Sequence, residues 1–282
     1  MRIVVVGGVA GGMSCAARAR RLDESAEIIV LERGGQVSFA NCGLPYHVGG
    51  EIEEADRLLL QTPESLRAAL NLDVRVRHEV IGLDAAAKTV AVRTPSGEAT
   101  LGYDALVLAP GARAVRPPIP GLDSPRVRTL RTVPDAVALR GRVDAGAGRA
   151  VVLGAGFIGL EAAEALALRG LEVAVVELAG HVLPPLEAEL AHLITEELRR
   201  LGIDVRAGVA ASSIAHGPTE DTVTLADGSA LAADLIVLST GVRPETEVFE
   251  AAGVACVNGA IVVDDHRSEE RRVGKECLRL CR

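Results

Sequence analysis

Twice in this sequence a run of small and β-branched apolar residues stops at a glycine cluster and continues as a helix. RIVVVGGVAGGMSCAARARRL (2–22), followed by AEIIVLE (26–32), reads as strand, glycine turn, helix, strand. RAVVLGAGFIGLEAAEALALRGLEVAVVELA (149–179) repeats that order, with its second strand ending at Glu177. Continuous apolar strands suit a parallel sheet covered on both faces, and parallel neighbours need a crossover helix between them. The repeat therefore constrains the chain to an α/β fold with two Rossmann-like dinucleotide-binding domains, each layered around a sheet.

The second unit is the cleaner of the two. Gly154, Gly156 and Gly159 form G-x-G-x-x-G between strand and helix. The first glycine permits the tight turn, the second lets a pyrophosphate approach the backbone, and the third lets helix and strand pack closely. Glu177, twenty-three residues after Gly154, is placed to accept hydrogen bonds from a ribose 2′-hydroxyl. It would repel a 2′-phosphate, so NADH is expected over NADPH. In the first unit, Gly7 and Gly12 align with the outer glycines and Val9 takes the middle position, while Gly8 and Gly11 keep the turn permissive. Glu32 ends the following strand as Glu177 does. Two such sites suggest a flavin held by one unit and a nicotinamide nucleotide delivered by the other.

Composition excludes several alternatives. The net charge is −8 and aromatic residues make up 2% of the chain, with no Trp. A polyanion footprint and an aromatic stacking platform are both missing, so no nucleic-acid partner is expected. The first residues imitate an export signal, but only Ile3 to Val6 is strongly apolar, and no run approaches the roughly 20 apolar residues that span a bilayer. Five cysteines, at 15, 42, 256, 277 and 281, form no C-x-x-C pair and no framework. Reduced thiols in a cytoplasmic protein are expected. No metal site is expected.

Between the units, VRVRHEVIGLDAAAKTVAVRT alternates like paired strands around Asp84 to Lys88, and TVTLADGSALAADLIVLSTGVRP repeats the theme later. Leu186, Leu190, Ile194, Leu198 and Leu201 share one helical face closed by Gly202, which predicts a packed stripe.

One stretch asks a separate question. VSFANCGLPYHVGG (37–50) carries a single cysteine, Cys42, between small neighbours Ala40 and Gly43 and ahead of a short predicted helix. Backbone dipoles at such a position favour a thiolate. The alternative is a buried, inert residue, which is the reading for Cys15 and Cys256.

With these motifs in view, the sequence resembles the pyridine nucleotide-disulfide oxidoreductases, and more narrowly their single-cysteine branch of coenzyme A disulfide reductase, NADH oxidase and NAD(P)H persulfide or polysulfide reductases. The resemblance rests on GGVAGGMSCAARARR (7–21), SFANCGLPY (38–46), LAPGARAVRPPIPG (108–121), GAGFIGLEAAE (154–164) and STGVRPET (239–246). It implies FAD on Gly7, Gly8, Val9, Ala10, Gly11, Gly12, Glu32, Arg33, Val80, Ala109 and Gly111. It implies NADH on Gly154, Gly156, Phe157, Ile158, Gly159, Glu161 and Glu177, and makes Gly241 a further cofactor contact. Cys42 becomes the redox nucleophile. Dithiol relatives carry a second cysteine where this chain has His47, which reads equally as a proton shuttle or a helix cap. A lone thiol must rest as a mixed disulfide, a persulfide or a sulfenic acid. Arg18, Arg21, Ser38 and Asn41 match positions that grip coenzyme A, so a small disulfide such as coenzyme A disulfide is the implied substrate. A relative's lysine is replaced near Leu70. The rivals are an NADH oxidase working through a sulfenic acid and a non-catalytic flavin or NADH redox sensor.

The implied division is an FAD-binding segment at 1–112, an NAD(P)H-binding domain at 113–240 and a return to the FAD-binding domain at 241–266. The last sixteen residues break style. RSEERRVGKECLRLCR carries six basic and three acidic residues, and its first eleven match the translation of a sequencing-adapter oligonucleotide. We expect residues 267–282 to be non-native, with the C-terminal dimerisation domain of a homodimeric parent missing.

Overall fold

The computed structural model describes residues 1–263; the tail at 267–282 lies outside the described residues. The chain opens with β1 (Arg2–Val6), α1 (Ala10–Leu22) and β2 (Glu27–Glu32). A one-turn 3-10 helix (Asn41–Gly43) leads into α2 (Leu44–Gly49); α3 (Pro63–Leu70) and β3 (Asp73–Val76) follow. A meander of β4 (Glu79–Asp84), β5 (Thr89–Thr94) and β6 (Gly97–Gly102) precedes β7 (Ala105–Leu108) and β8 (Ala112–Ala114). Next come β9 (Val127–Arg128), α4 (Val133–Asp144), β10 (Arg149–Leu153), α5 (Phe157–Leu168), β11 (Glu172–Glu177), α6 (Ala188–Arg200) and β12 (Asp204–Ala207). A second meander, β13 (Ala211–His216), β14 (Asp221–Leu225) and β15 (Ala230–Ala233), leads to β16 (Leu235–Leu238). The chain then runs through β17 (Val242–Pro244), α7 (Glu247–Ala251) and the hairpin β18 (Cys256–Val257)–β19 (Ala260–Ile261).

Contacts divide the chain into two units. Among the described residues, one holds 1–40, 59–113 and 243–263; the other holds 41–58 and 114–242. The segment carrying Cys42 thus packs with the second unit, although the sequence reading placed it in the first stretch.

The first unit's parallel sheet has the order β3-β2-β1-β7. β1 pairs with β2 from Arg2↔Glu27 to Val6↔Leu31 and with β7 from Ile3↔Ala105 to Val6↔Leu108. Strand alternation sorts its side chains into two layers. Ile3, Val5, Ile28 and Val30 pack with Met13 and Ala16 of α1 and Leu66 of α3. Val4, Val6, Ile29 and Leu31 pack with Val80, Val90 and Val92 of the meander and Phe249 of α7. Helices, sheet and meander make three layers, and burial on both faces explains why β1 and β2 show no polar alternation.

The second unit repeats the plan as β12-β11-β10-β16, with β9 added beyond β16. Val151, Leu153, Val176, Ile236 and Leu238 bury against Ile214, Val223 and Leu225 of its meander. On β14, the fully buried Asp221 accepts hydrogen bonds from Ser124 and, at 2.9 Å, from Arg126; His216 Nδ1 lies 2.8 Å away. These bonds tie the crossing before β9 to the meander.

Both expected strand pairs form: β4 and β5 pair antiparallel from Glu79↔Arg93 to Asp84↔Thr89, and β14 pairs with β15. The leucine stripe needs a correction. Gly202 does close α6 with φ +80°, but Leu190 is 53% exposed and the buried residues are Ala191 and Leu198. The helix starts only at Ala188, so Leu186 sits in the preceding turn and does not set the helix phase. Among the described residues, no helix is long and apolar enough to cross a membrane.

Candidate nucleotide turns and the Cys42 segment

The two glycine turns have one blueprint. Gly7 N–H donates to Leu31 O at 2.9 Å, and Gly154 N–H to Val176 O at 2.8 Å. Both glycines sit at positive φ, 102° and 101°, where L side chains are strained. A Cβ on Gly7 would collide with the Ala109 carbonyl, and one on Gly154 would lie 2.5 Å from the Ser239 oxygen. The third glycines are equally tight. A Cβ on Gly12 would strike the Gly7 carbonyl, and one on Gly159 the Gly154 carbonyl. Gly7 and Gly154 are dictated by the strand-end backbone beside them, Gly12 and Gly159 by the carbonyl of their own turn.

The second position behaves differently. Gly156 has extended φ −77° and ψ −179°, and a Cβ there would meet nothing within 4 Å. The residue is a glycine although the protein around it does not require one. The helices point the same way: α1 and α5 begin without a side-chain cap and without an acidic residue in the first turn. By contrast, α3 and α4 carry complete capping boxes, Thr62 with Ser65 and Thr132 with Asp135. Uncapped first-turn N–H groups beside open backbone form an anion cradle. These residues fit a dinucleotide pyrophosphate at Gly154–Gly159 and, with Val9 at the middle position, at Gly7–Gly12.

The two strand-end carboxylates are pinned alike. Glu32 accepts from Gly8 N–H at 2.7 Å and Gly34 N–H at 2.6 Å. Glu177 accepts from Ala155 N–H at 2.7 Å and Ala179 N–H at 2.8 Å. One bond per oxygen leaves lone pairs on each carboxylate for a ribose hydroxyl. The match continues six residues beyond each glutamate. Ser38 N–H donates to Gly8 O at 2.9 Å and Leu183 N–H to Ala155 O at 2.8 Å, both residues at positive φ. The sequence reading missed this shared step. Its only signal was the equal spacing from Glu32 to Ser38 and from Glu177 to Leu183.

The remaining nucleotide candidates are more scattered. Ala10 is exposed and Gly11 half-buried at the start of α1. Arg33 pairs with Glu245, and Val80 is buried in the meander layer. Gly111 and Gly241 occupy equivalent exposed positions after β7 and β16, at φ 75° and 107°. Phe157 is 51% exposed at the first turn of α5, with Ile158 half-buried beside it. Glu161 lies one turn along, and the protein packed around it together with Glu164 raises its carboxyl pKa.

Cys42 lies exposed in the 3-10 turn before α2. Among the described residues, Cys15, Cys42 and Cys256 form no disulfide. Burial, followed by Glu250, pushes the Cys256 thiol up, in keeping with an inert residue. Asn41 is exposed beside Cys42 in the second unit. Arg18, Arg21 and Ser38 belong to the first unit. Arg18 and Arg21 are exposed one turn apart on α1, and among the described residues neither has a hydrogen-bond or ion-pair partner. Arg20 between them is buried and donates to the carbonyls of Leu70, Asn71, Asp23 and Glu24. Arginines of one short run thus divide into a backbone clamp and two open cations. His47 is 4% exposed, and its Nδ1 bonds the Ile52 carbonyl at 2.8 Å, the geometry of a cap on the turn after α2.

The chain belongs to the pyridine nucleotide-disulphide oxidoreductase family, whose model matches residues 1–271. It is 33% identical over 268 residues to an NADH oxidase of Methanocaldococcus jannaschii, covering 94% of this chain and 60% of that protein. A coenzyme A disulfide reductase of Staphylococcus haemolyticus is 34% identical over 268 residues, covering 94% of this chain and 59% of the reductase. The solved structure of a NAD-dependent persulfide reductase from A. fulgidus superposes with a TM-score of 0.91 at 38% identity. That match covers 94% of this chain and 50% of the persulfide reductase. The chain spans about 60% of the length of these two curated relatives.

Proposed function

We propose that this chain is the nucleotide-binding part of an FAD-dependent NAD(P)H oxidoreductase that reduces a small disulfide, such as coenzyme A disulfide, through Cys42 alone. In this reading the first unit binds FAD through Gly7–Gly12, Glu32, Arg33, Val80, Ala109 and Gly111. The second binds NADH through Gly154–Gly159, Glu161, Glu177 and Gly241. Glu177 argues for NADH, because a 2′-phosphate would meet a carboxylate. When bound, the flavin supplies a two-electron relay between nicotinamide and sulfur.

The chain's own residues supply the rest. The Cys42 thiolate attacks one sulfur of the disulfide. The S–S bond breaks, the other sulfur leaves as a thiolate, and Cys42 retains the first as a mixed disulfide. Two electrons originating from NADH then cleave that bond, restoring the Cys42 thiolate and releasing the retained sulfur as a second small thiolate. Arg18 and Arg21, open cations on α1, together with Ser38 and Asn41, are our candidates for the substrate's phosphates. A homodimer in the cytoplasm completes the proposal.

The supporting observation is that Cys42 is exposed at the start of its helical segment and, among the described residues, forms no disulfide. The likeness to a protein named NADH oxidase supports a second reading, in which Cys42 cycles through a sulfenic acid and oxygen is the acceptor. NADH consumption by the FAD-loaded protein, measured separately with coenzyme A disulfide, polysulfide and oxygen, tests both. Under the first reading Cys42→Ser loses disulfide turnover and keeps slow oxygen consumption. Disulfide turnover that survives Cys42→Ser refutes it.

A further inference from the structure

The segment 41–58 is clamped within its unit by two arginines that the mechanism above does not use. Helix α2 has six residues, too few to hold its shape without tertiary partners, and its last carbonyls are met from beyond the helix, Tyr46 O by Ile52 N–H at 3.1 Å and His47 O by Gly50 N–H at 3.3 Å. Arg140 on α4 donates from Nη1 to His47 O and Ile52 O, both at 3.0 Å. Arg169, just after α5, donates to Val48 O at 3.4 Å. Asp144 bridges the pair, accepting from Arg169 at 2.6 Å and from Arg140 at 3.4 Å. Both guanidinium side chains are mostly buried, 20% and 26% exposed. Close packing completes the seat. A Cβ on Gly49 would lie 3.4 Å from Ala165 Cβ, and one on Gly50 3.3 Å from Arg169 Nη1. The clamped carbonyls begin five residues after Cys42, so the arginines fix the backbone that carries the thiol.

We propose that Arg140 and Arg169, braced by Asp144, are positioning residues for the Cys42 segment. The inference rests on the reading of Cys42 as the redox thiol. Each arginine satisfies backbone carbonyls, and α2 holds its register on α4 and α5 through them. Lysine at either site offers donors without the planar fork, so it replaces only part of the clamp.

The test uses Arg140→Ala/Arg169→Ala, the milder Asp144→Asn, and the rescue pair Arg140→Lys/Arg169→Lys. Hydrogen exchange is followed peptide by peptide without cofactor. In the FAD-loaded protein, flavin reduction by NADH is timed separately from coenzyme A disulfide turnover. In the double alanine variant, exchange over 44–52 should rise about ten-fold or more, with β10 and β11 unchanged. Flavin reduction should keep its rate while disulfide turnover falls by a comparable factor. Asp144→Asn and the lysine pair should fall between. If 44–52 exchanges as in wild type, the clamp does not hold the segment and the proposal fails. Faster exchange with unchanged disulfide turnover also overturns it, because the arginines then serve only structure. Cys42→Ser run in parallel separates the two ideas: disulfide turnover surviving there refutes the redox reading itself, whatever the exchange shows.

Discussion

Replacing Gly156 and Gly159 one at a time with alanine separates a ligand's demand from the fold's. At Gly159 a Cβ would strike the Gly154 carbonyl and lie 2.6 Å from Ser239 Oγ. Ser239 Oγ is itself held by the Leu153 and Gly154 carbonyls at 2.9 Å. Neither neighbour is the free end of a flexible chain, so α5 must shift. Overpacking of this kind costs about 1–3 kcal/mol, and the gain of about 1 kcal/mol from a better helix former offsets only part of it. At Gly156 the backbone is extended and nothing lies within 4 Å. Removing a glycine from the unfolded chain gains about 0.4–1 kcal/mol, roughly balanced by the poorer N-cap. Gly156→Ala should therefore melt within a few degrees of wild type, while Gly159→Ala melts clearly lower. Affinity should divide the other way. If the open space at Gly156 takes the pyrophosphate, as proposed, a methyl group there should weaken NADH binding ten-fold or more, about 1.4 kcal/mol. Differential scanning fluorimetry reads the first quantity and calorimetric titration with NADH the second. Gly156→Ala that binds NADH as tightly as wild type would refute the cradle, since no other role for that glycine is evident.

On the proposed reading of Glu177, Glu177→Gln should shift relative affinity from NADH toward NADPH, because it removes the charge a 2′-phosphate would meet; competing titrations with the two nucleotides decide it. Asp221 gives a pH dependence. Burial alone would raise its carboxyl pKa, but the bonds from Ser124 and His216 and the charge of Arg126 hold it below the usual carboxylate range. A carboxyl lowered on folding gives stability that is complete above its unfolded pKa of about 3.9 and is lost as pH falls through the folded value. Asp221→Asn should cost about 3–5 kcal/mol, since Arg126 loses its buried counter-charge, and should flatten that acid slope. Urea midpoints recorded from neutral pH downward check both, and an unchanged acid slope would count against the assignment. Gly121→Ala should destabilise by about 1–3 kcal/mol, because a Cβ there would collide with the Ile214 carbonyl at a φ of +82°; a denaturant midpoint equal to wild type would contradict this.

Much of the fold was legible because its signals are local. The continuous apolar runs around Val5 and Val152 announced buried parallel strands, and glycine spacing announced the two turns. Alternation on either side of Asp84 to Lys88 announced a hairpin. Leu190 was misread because periodicity gives a helix's apolar face without its starting phase. The glycines of the second turn were visible, but not the difference between them. Gly159 answers to a carbonyl of its own turn, and Gly156 to open space.

By itself the sequence determined two strand–glycine–helix–strand units, a carboxylate ending the second strand of each, and one thiol with no nearby partner, because each of these is written in residues close along the chain. Tertiary structure alone decided that residues 41–58 leave the first unit to pack on α4 and α5, that Arg20 is a clamp while Arg18 and Arg21 stay open, and that Arg140 and Arg169 grip α2. Those outcomes depend on which carbonyls lie unsatisfied within reach of a long side chain. Only the folded backbone brings Arg140 to a carbonyl 93 residues away.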